Sequence, residues 1–107
     1  MATGTDISAE LTARQVGMLP GQLELVWKEV INGRAHGSFV VAKQHLAPNG
    51  YLHAASIIAL ADSACGYGCM ASLPDGATNF TTIELKANYL GSAKLGETVT
   101  CAATLKH

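Results

Sequence analysis

From residue 22 to 31 the apolar side chains Leu23, Leu25 and Trp27 alternate with polar ones, the period-two signature of a strand with one buried face. Asn32-Gly33 follows, the dipeptide favoured by a tight type I′ hairpin turn, and residues 34–43, with Ser38, Phe39, Val40 and Val41, return as a second strand. Upstream, residues 1–8 are small and polar and read as disordered. Ser8 can then cap a short helix through Glu10, Leu11 and Val16 that Leu19-Pro20-Gly21 ends. Residues 1–20 are thus an arm carrying one short helix, a lid or packing element rather than core. Beyond the hairpin, Pro48 and Asn49-Gly50 break the chain and bring it round to a new element.

That element is a long helix over residues 52–72, made mostly of Ala, Ile, Leu, Met and Cys and interrupted by Asp62, Gly66 and Gly68. It is apolar almost all round, so it should be buried on most sides. A membrane span is disfavoured, because Asp62 at its centre would cost about 2.5–3.5 kcal/mol. After Leu73-Pro74-Asp75-Gly76, residues 79–90 read as one strand, with Thr81, Ile83, Leu85, Ala87 and Tyr89 on one face and Phe80, Thr82, Glu84, Lys86 and Asn88 on the other. A turn over residues 91–96 leads to a last alternating segment, 97–106, with Val99, Cys101, Ala103 and Leu105 on one side. The order hairpin, helix, strands is that of an α+β domain in which an antiparallel sheet wraps one central helix.

The length of 107 residues holds one domain, 1–107, of the roughly 100–200 residue class. Hydrophobic residues at 49% supply a core, while charged residues at 14% leave a surface poor enough in charge to expect a covering subunit. Seven Lys/Arg against eight Asp/Glu, spread without a basic run, argue against a nucleic-acid partner. Three cysteines and no signal peptide pattern point to a cytoplasmic setting. Cys65 and Cys69 share a helix face, but no further ligands at zinc-binding spacing accompany them, so no metal is expected and both read as small core residues.

Gly50-Tyr51-Leu52-His53-Ala54-Ala55, then Leu60-Ala61-Asp62, and later the strand ending at Tyr89 with the turn Ala93-Lys94-Leu95-Gly96-Glu97, resemble the hotdog-fold acyl-CoA thioesterases of the phenylacetate-pathway type. The resemblance spans roughly residues 20–107 by element order. It implies the hotdog fold and hydrolysis of a small aryl or short acyl thioester to free acid and CoA, without a cofactor. Asp62 falls where the family has its general base or nucleophile, and the Ala54 backbone N–H, just after the motif histidine His53, falls where it has its oxyanion donor. Thr82 matches a hydroxyl that assists the carboxylate, with Thr81 the alternative if the register slips by one. Asn49, Gly50, Thr81 and Tyr67 fall where substrate would be held. Two departures stand out: Ala54-Ala55 replace the usual glycine pair, and Ala47 stands where some relatives carry asparagine. The family also continues for one or two strands beyond the one at 97–106, so the C-terminal strands of the fold are expected to be missing here.

Geometry supports the assignment independently. Nine residues separate His53 from Asp62, about 13.5 Å of rise and about 900° of turn on an α-helix, so the two face opposite sides. A site using both needs a second helix running antiparallel, hence a homodimer or a dimer-of-dimers tetramer. Ala59, Cys65 and Gly66 beside Asp62 leave room for that approach. A thioester suits so sparse a site, since a thiol of pKa about 8.5 departs with little protonation. A carboxylate in an apolar helix without a neighbouring Arg or Lys in the sequence favours function over structure. His36 and His45 read as strand and loop surface, Tyr51 and Met70 as core or pocket wall, and Lys86 and Lys94 as solvated. The rival readings are a non-catalytic acyl-CoA-binding module, favoured by the absent glycines; a hotdog hydratase or dehydratase, disfavoured by the gap from His45 to Asp62; and a structural oligomerisation domain, which leaves Asp62 unexplained.

Overall fold

The computed structural model describes residues 5–71 and 93–104. Element order is α1 (Ser8–Arg14), α2 (Leu19–Gln22), β1 (Val26–Ile31), β2 (Arg34–Val40), a 3-10 turn (Lys43–His45), α3 (Ala54–Met70) and β3 (Thr98–Thr104). The strands form an antiparallel sheet in the order β1-β2-β3, with α3 packed across β2 and β3. This is the α+β arrangement expected from the sequence. The strand expected at residues 79–90 lies outside the described residues.

Asn32 and Gly33 both take positive φ, 47° and 77°, as a type I′ turn demands. The register runs Ile31↔Arg34, Val30↔Ala35, Glu29↔His36, then jumps to Trp27↔Gly37, so Lys28 is an extra residue. This β-bulge resets the alternation: Trp27 and Val30 are both buried although three apart. Simple alternation therefore describes the strand only up to Trp27.

The N-terminal segment is more than an arm. The Asp6 carboxylate accepts from the backbone N–H groups of Ser8 (2.9 Å) and Val30 (3.0 Å), and Ile7 N–H donates to Val30 O (3.0 Å). Ser8 Oγ donates to Lys28 O, and Trp27 N–H donates to Thr12 Oγ1. These contacts satisfy main-chain groups along β1 and order residues 5–8, which composition alone reads as disordered. Ser8 is the first residue of α1 rather than its cap, and the local bond to its N–H comes from Asp6. Leu19-Pro20-Gly21 begins the four-residue α2, Pro being tolerated where the N–H has no helical partner.

The core is Leu11, Leu25, Trp27, Val30, Ala35, Phe39, Val41, Leu60 and Ala64. α3 enters it by one stripe, Ser56, Leu60, Ala64 and Gly68, each four residues from the last. The rest of α3 is half-buried or exposed, so the expectation of burial on most sides is corrected: an apolar composition all round is here combined with one sheet-facing stripe. Cys65 is exposed and Cys69 half-buried, against the core role read from sequence.

Candidate active site

The approach to α3 is a small hairpin. Leu46 and Leu52 bridge antiparallel, Ala47 N–H donates to Tyr51 O (2.7 Å), and Gly50 N–H returns to Ala47 O (2.9 Å). Pro48-Asn49 occupy the turn and Gly50 takes φ 87°, a conformation that excludes a strain-free side chain. Asn49 Oδ1 accepts from Tyr51 N–H at 3.1 Å, which braces the exposed tip. Tyr51 is exposed rather than core.

His53 is the N-cap of α3, its Nδ1 accepting from Ala55 N–H at 2.9 Å. Its C=O takes Ser56 N–H at 3.0 Å. Ala54 is the first helical residue, and its N–H has no acceptor among the described residues, one of the four donors that every helix start leaves over. An open N–H at the positive end of a 17-residue helix is an anion-stabilising feature.

Asp62 is half-buried and lies eight residues into α3, about 12 Å along the axis from Ala54. At 100° per residue it sits diametrically opposite the stripe that packs on the sheet. Cys65 and Cys69 flank it on the same open side of the helix. Between this flank and the sheet is a cavity of about 120 Å³, lined by Ala64, Cys65, Gly68 and Cys69 of α3 and by Gly33, Ala103 and Thr104. Four of those seven residues are Gly or Ala, which is why the space exists.

The sequence-predicted residues therefore separate into groups. His53, Ala54, Asn49 and Gly50 gather at the helix start, while Asp62 stands two turns further on, on the side opposite His53. Tyr67 lies toward the sheet: its ring meets Trp27 edge-on at 4.9 Å between centroids and its hydroxyl donates to Gln15 Oε1 at 3.3 Å. Burial pushes the Tyr67 phenol above its ordinary pKa, opposed by the Arg14 charge. Thr81 and Thr82 lie outside the described residues. No group of three or more His, Cys, Asp or Glu able to hold a metal occurs among the described residues.

Two residues that the sequence reading missed belong to this region. His45, read as a loop surface residue, is fully buried: its Nδ1 accepts from Ala42 N–H (2.9 Å) and its Nε2–H donates to Leu23 O (2.6 Å). Its ring stacks on Phe39 at 4.2 Å, and its carbonyl accepts from both His53 N–H (2.8 Å) and Ser56 Oγ (3.1 Å). A polar loop sequence hides such a histidine, because burial depends on Phe39 and Leu23 arriving from elsewhere in the chain. Ser56 alone carried a signal, as a hydroxyl in the first turn of an otherwise apolar helix.

The thioesterase superfamily sequence model matches residues 49–107, more than half the chain. The chain belongs to the thioesterase superfamily. A glutamine-to-alanine mutant of the thioesterase SAV0944 from Staphylococcus aureus shares 30% identity with it over 82% of this chain and 72% of that one, with a TM-score of 0.75. A glutamine-to-alanine mutant of the Pseudomonas aeruginosa thioesterase PA1618 superposes with a TM-score of 0.84 at 22% identity, covering 94% of this chain and 71% of that one. The PaaI protein of the phenylacetic acid degradation operon of Escherichia coli gives 0.78 at 20% identity, covering 94% and 69%. No curated protein matches the sequence. The fold is the hotdog fold, and this thioesterase superfamily member is a thioester hydrolase. No helix among the described residues is long and apolar enough to cross a membrane.

Proposed function

We propose that this thioesterase superfamily member hydrolyses a small aryl or short acyl thioester of coenzyme A, with Asp62 as general base or nucleophile and the Ala54 N–H as oxyanion donor. The observation that carries the reading is the separation of the two groups along one unbroken helix. Ala54 heads α3, whereas Asp62 lies about 12 Å along it and on the face turned from the sheet, so one chain cannot bring both to one carbonyl. An antiparallel copy of α3 packed on the Asp62 face sets the helix start of one subunit beside the carboxylate of the other. Each homodimer then holds two equivalent sites, and a dimer of dimers holds four.

At such a site Asp62 takes a proton from the attacking water, or attacks the thioester carbonyl itself to form an acyl anhydride that water then hydrolyses, and in either case charge develops on the carbonyl oxygen. The Ala54 N–H and the positive end of α3 stabilise that oxygen. The thiolate leaves without a strong acid, because thiols ionise readily, the cysteine side chain at about 8.5. His53 caps the helix through Nδ1; Asn49 and Gly50 border the mouth; and Thr82 or Thr81 assists the carboxylate. The cavity of about 120 Å³ beside Cys65 and Cys69 supports a small acyl group, being close to the ~150 Å³ that takes one benzene ring.

A binding module without turnover is the second reading, favoured by Ala54-Ala55, whose methyl groups crowd the helix start where the family has glycines. A hydratase loses its histidine, since both ring nitrogens of His45 are engaged in the core. Release of thiol from a panel of aromatic and short aliphatic acyl-CoA esters tests the proposal: turnover abolished in Asp62→Asn supports it, and binding without turnover in the parent points to the module.

A further inference from the structure

His45 is a fully buried polar residue that the chemistry just proposed does not use, and its hydrogen bonds run from the core to the start of α3. An imidazole that accepts at Nδ1 and donates at Nε2 is neutral and fixed in one tautomer. The bond to Ala42 ties the ring to the end of β2, the bond to Leu23 ties it to the segment before β1, and Phe39 lies against its face. With the ring held on three sides, few positions remain for the residue's own main chain.

That main chain is the other half of the device. The His45 carbonyl takes two donors, His53 N–H and Ser56 Oγ, so it grips the helix cap and the first turn together. The next peptide, His53–Ala54, is trans and has its C=O occupied by Ser56 N–H. A planar trans peptide points its N–H opposite to its C=O. The Ala54 N–H is therefore aimed outward from the helix start, and its direction is set by groups that trace back to His45.

We propose that His45 is the positioning residue for the oxyanion donor: its buried ring fixes the carbonyl that fixes the His53–Ala54 peptide. This rests on the assignment of Ala54 N–H as that donor. A donor misplaced by about 1 Å loses on the order of 10²-fold in rate, so the ring acts on the reaction without touching substrate.

Three variants of the full chain test this. His45→Phe keeps a flat ring against Phe39 and removes both ring bonds; Ser56→Ala removes one of the two donors to the His45 carbonyl with little change of volume; His45→Asn returns an acceptor near the Nδ1 position. In the variants that fold, kcat is expected to fall at least about tenfold in His45→Phe and about two- to tenfold in Ser56→Ala, with KM within about twofold. His45→Asn recovers part of the loss. The Ala54 amide resonance is expected to move in both His45→Phe and Ser56→Ala. If His45→Phe does not fold, Ser56→Ala decides by the same two readouts. Parental kcat in the folded variants, or an Ala54 resonance that stays in place, overturns the proposal. Asp62→Asn, measured alongside, separates the two failures: if it turns over at the parental rate, the catalytic assignment falls, and the Ala54 resonance alone then decides whether His45 positions that peptide.

Discussion

Gly37 lies opposite Trp27 in the β1–β2 pair, and the indole fills the space that a side chain at position 37 would need. A Cβ there would come within 2.4 Å of Trp27 Cε3. The ring has nowhere to go, because its Nε1–H is held by Gln15 Oε1 at 3.0 Å and its edge by Tyr67. Gly37→Ala is expected to destabilise the fold by about 1–3 kcal/mol through overpacking. Urea unfolding with a lowered midpoint and an unchanged slope checks this; an unchanged midpoint would mean that Trp27 repacks freely.

Asp62→Asn keeps shape and removes both basicity and nucleophilicity, so turnover is expected to fall by roughly 10²–10⁴-fold if Asp62 is the general base. Thermal stability should hold or rise, since a partly buried charge serving catalysis burdens the fold. Steady-state thiol release and a melting curve on the same preparation check both halves. A variant as active as the parent, or one that unfolds outright, marks Asp62 as structural.

Cys65 is exposed in the single chain and lies three residues from Asp62 on the face proposed to meet a second α3. Its alkylation rate is therefore expected to drop as protein concentration rises through the dimer dissociation constant. Cys101 is half-buried, and burial, with a smaller contribution from Cys65, pushes its thiol upward, so it should react slowly at every concentration. Mass mapping of the alkylated sites gives the answer, and a Cys65 rate independent of concentration argues against that interface.

The backbone N–H of Val30, and then that of Ser8, hold the Asp6 carboxyl below its ordinary pKa. A depressed folded-state pKa means that the stabilisation is present above the unfolded value of about 3.9 and is lost as pH falls through the folded one. Asp6→Asn should thus melt below the parent near neutral pH, and the difference should close at pH values well under about 4. A gap that persists undiminished in acid would show that the amide geometry matters and the charge does not.

The hairpin, the long helix and its acidic position were legible because each rests on local chemistry: Asn32-Gly33 supplies the two positive φ values, and the apolar run up to Leu73-Pro74 bounds α3. The bulge at Lys28 was not, since it depends on Trp27 settling over Gly37, a contact that strand periodicity does not encode. The ordering of residues 5–8 needs β1 to be in place before Asp6 has anything to bind. His45 was hidden for the same reason, its surroundings being assembled from Leu23, Phe39 and Ala42 only after folding. Of the candidate site, the donor end and the carboxylate were read from the motif, whereas what holds the donor end in place was not.

The N-terminal segment gives the sheet a polarity. Ile7, Asp6, Ser8 and Thr12 bond main-chain groups along β1, so that side behaves like a terminated end, and a strand arriving there would first have to displace them. Among the described residues β3 bears no such stop on its far side. The N-terminal segment thus closes the β1 edge to an added strand. A substitution that loosens Asp6 or Thr12 would do more than soften an arm: it would open the β1 edge of the sheet to another strand.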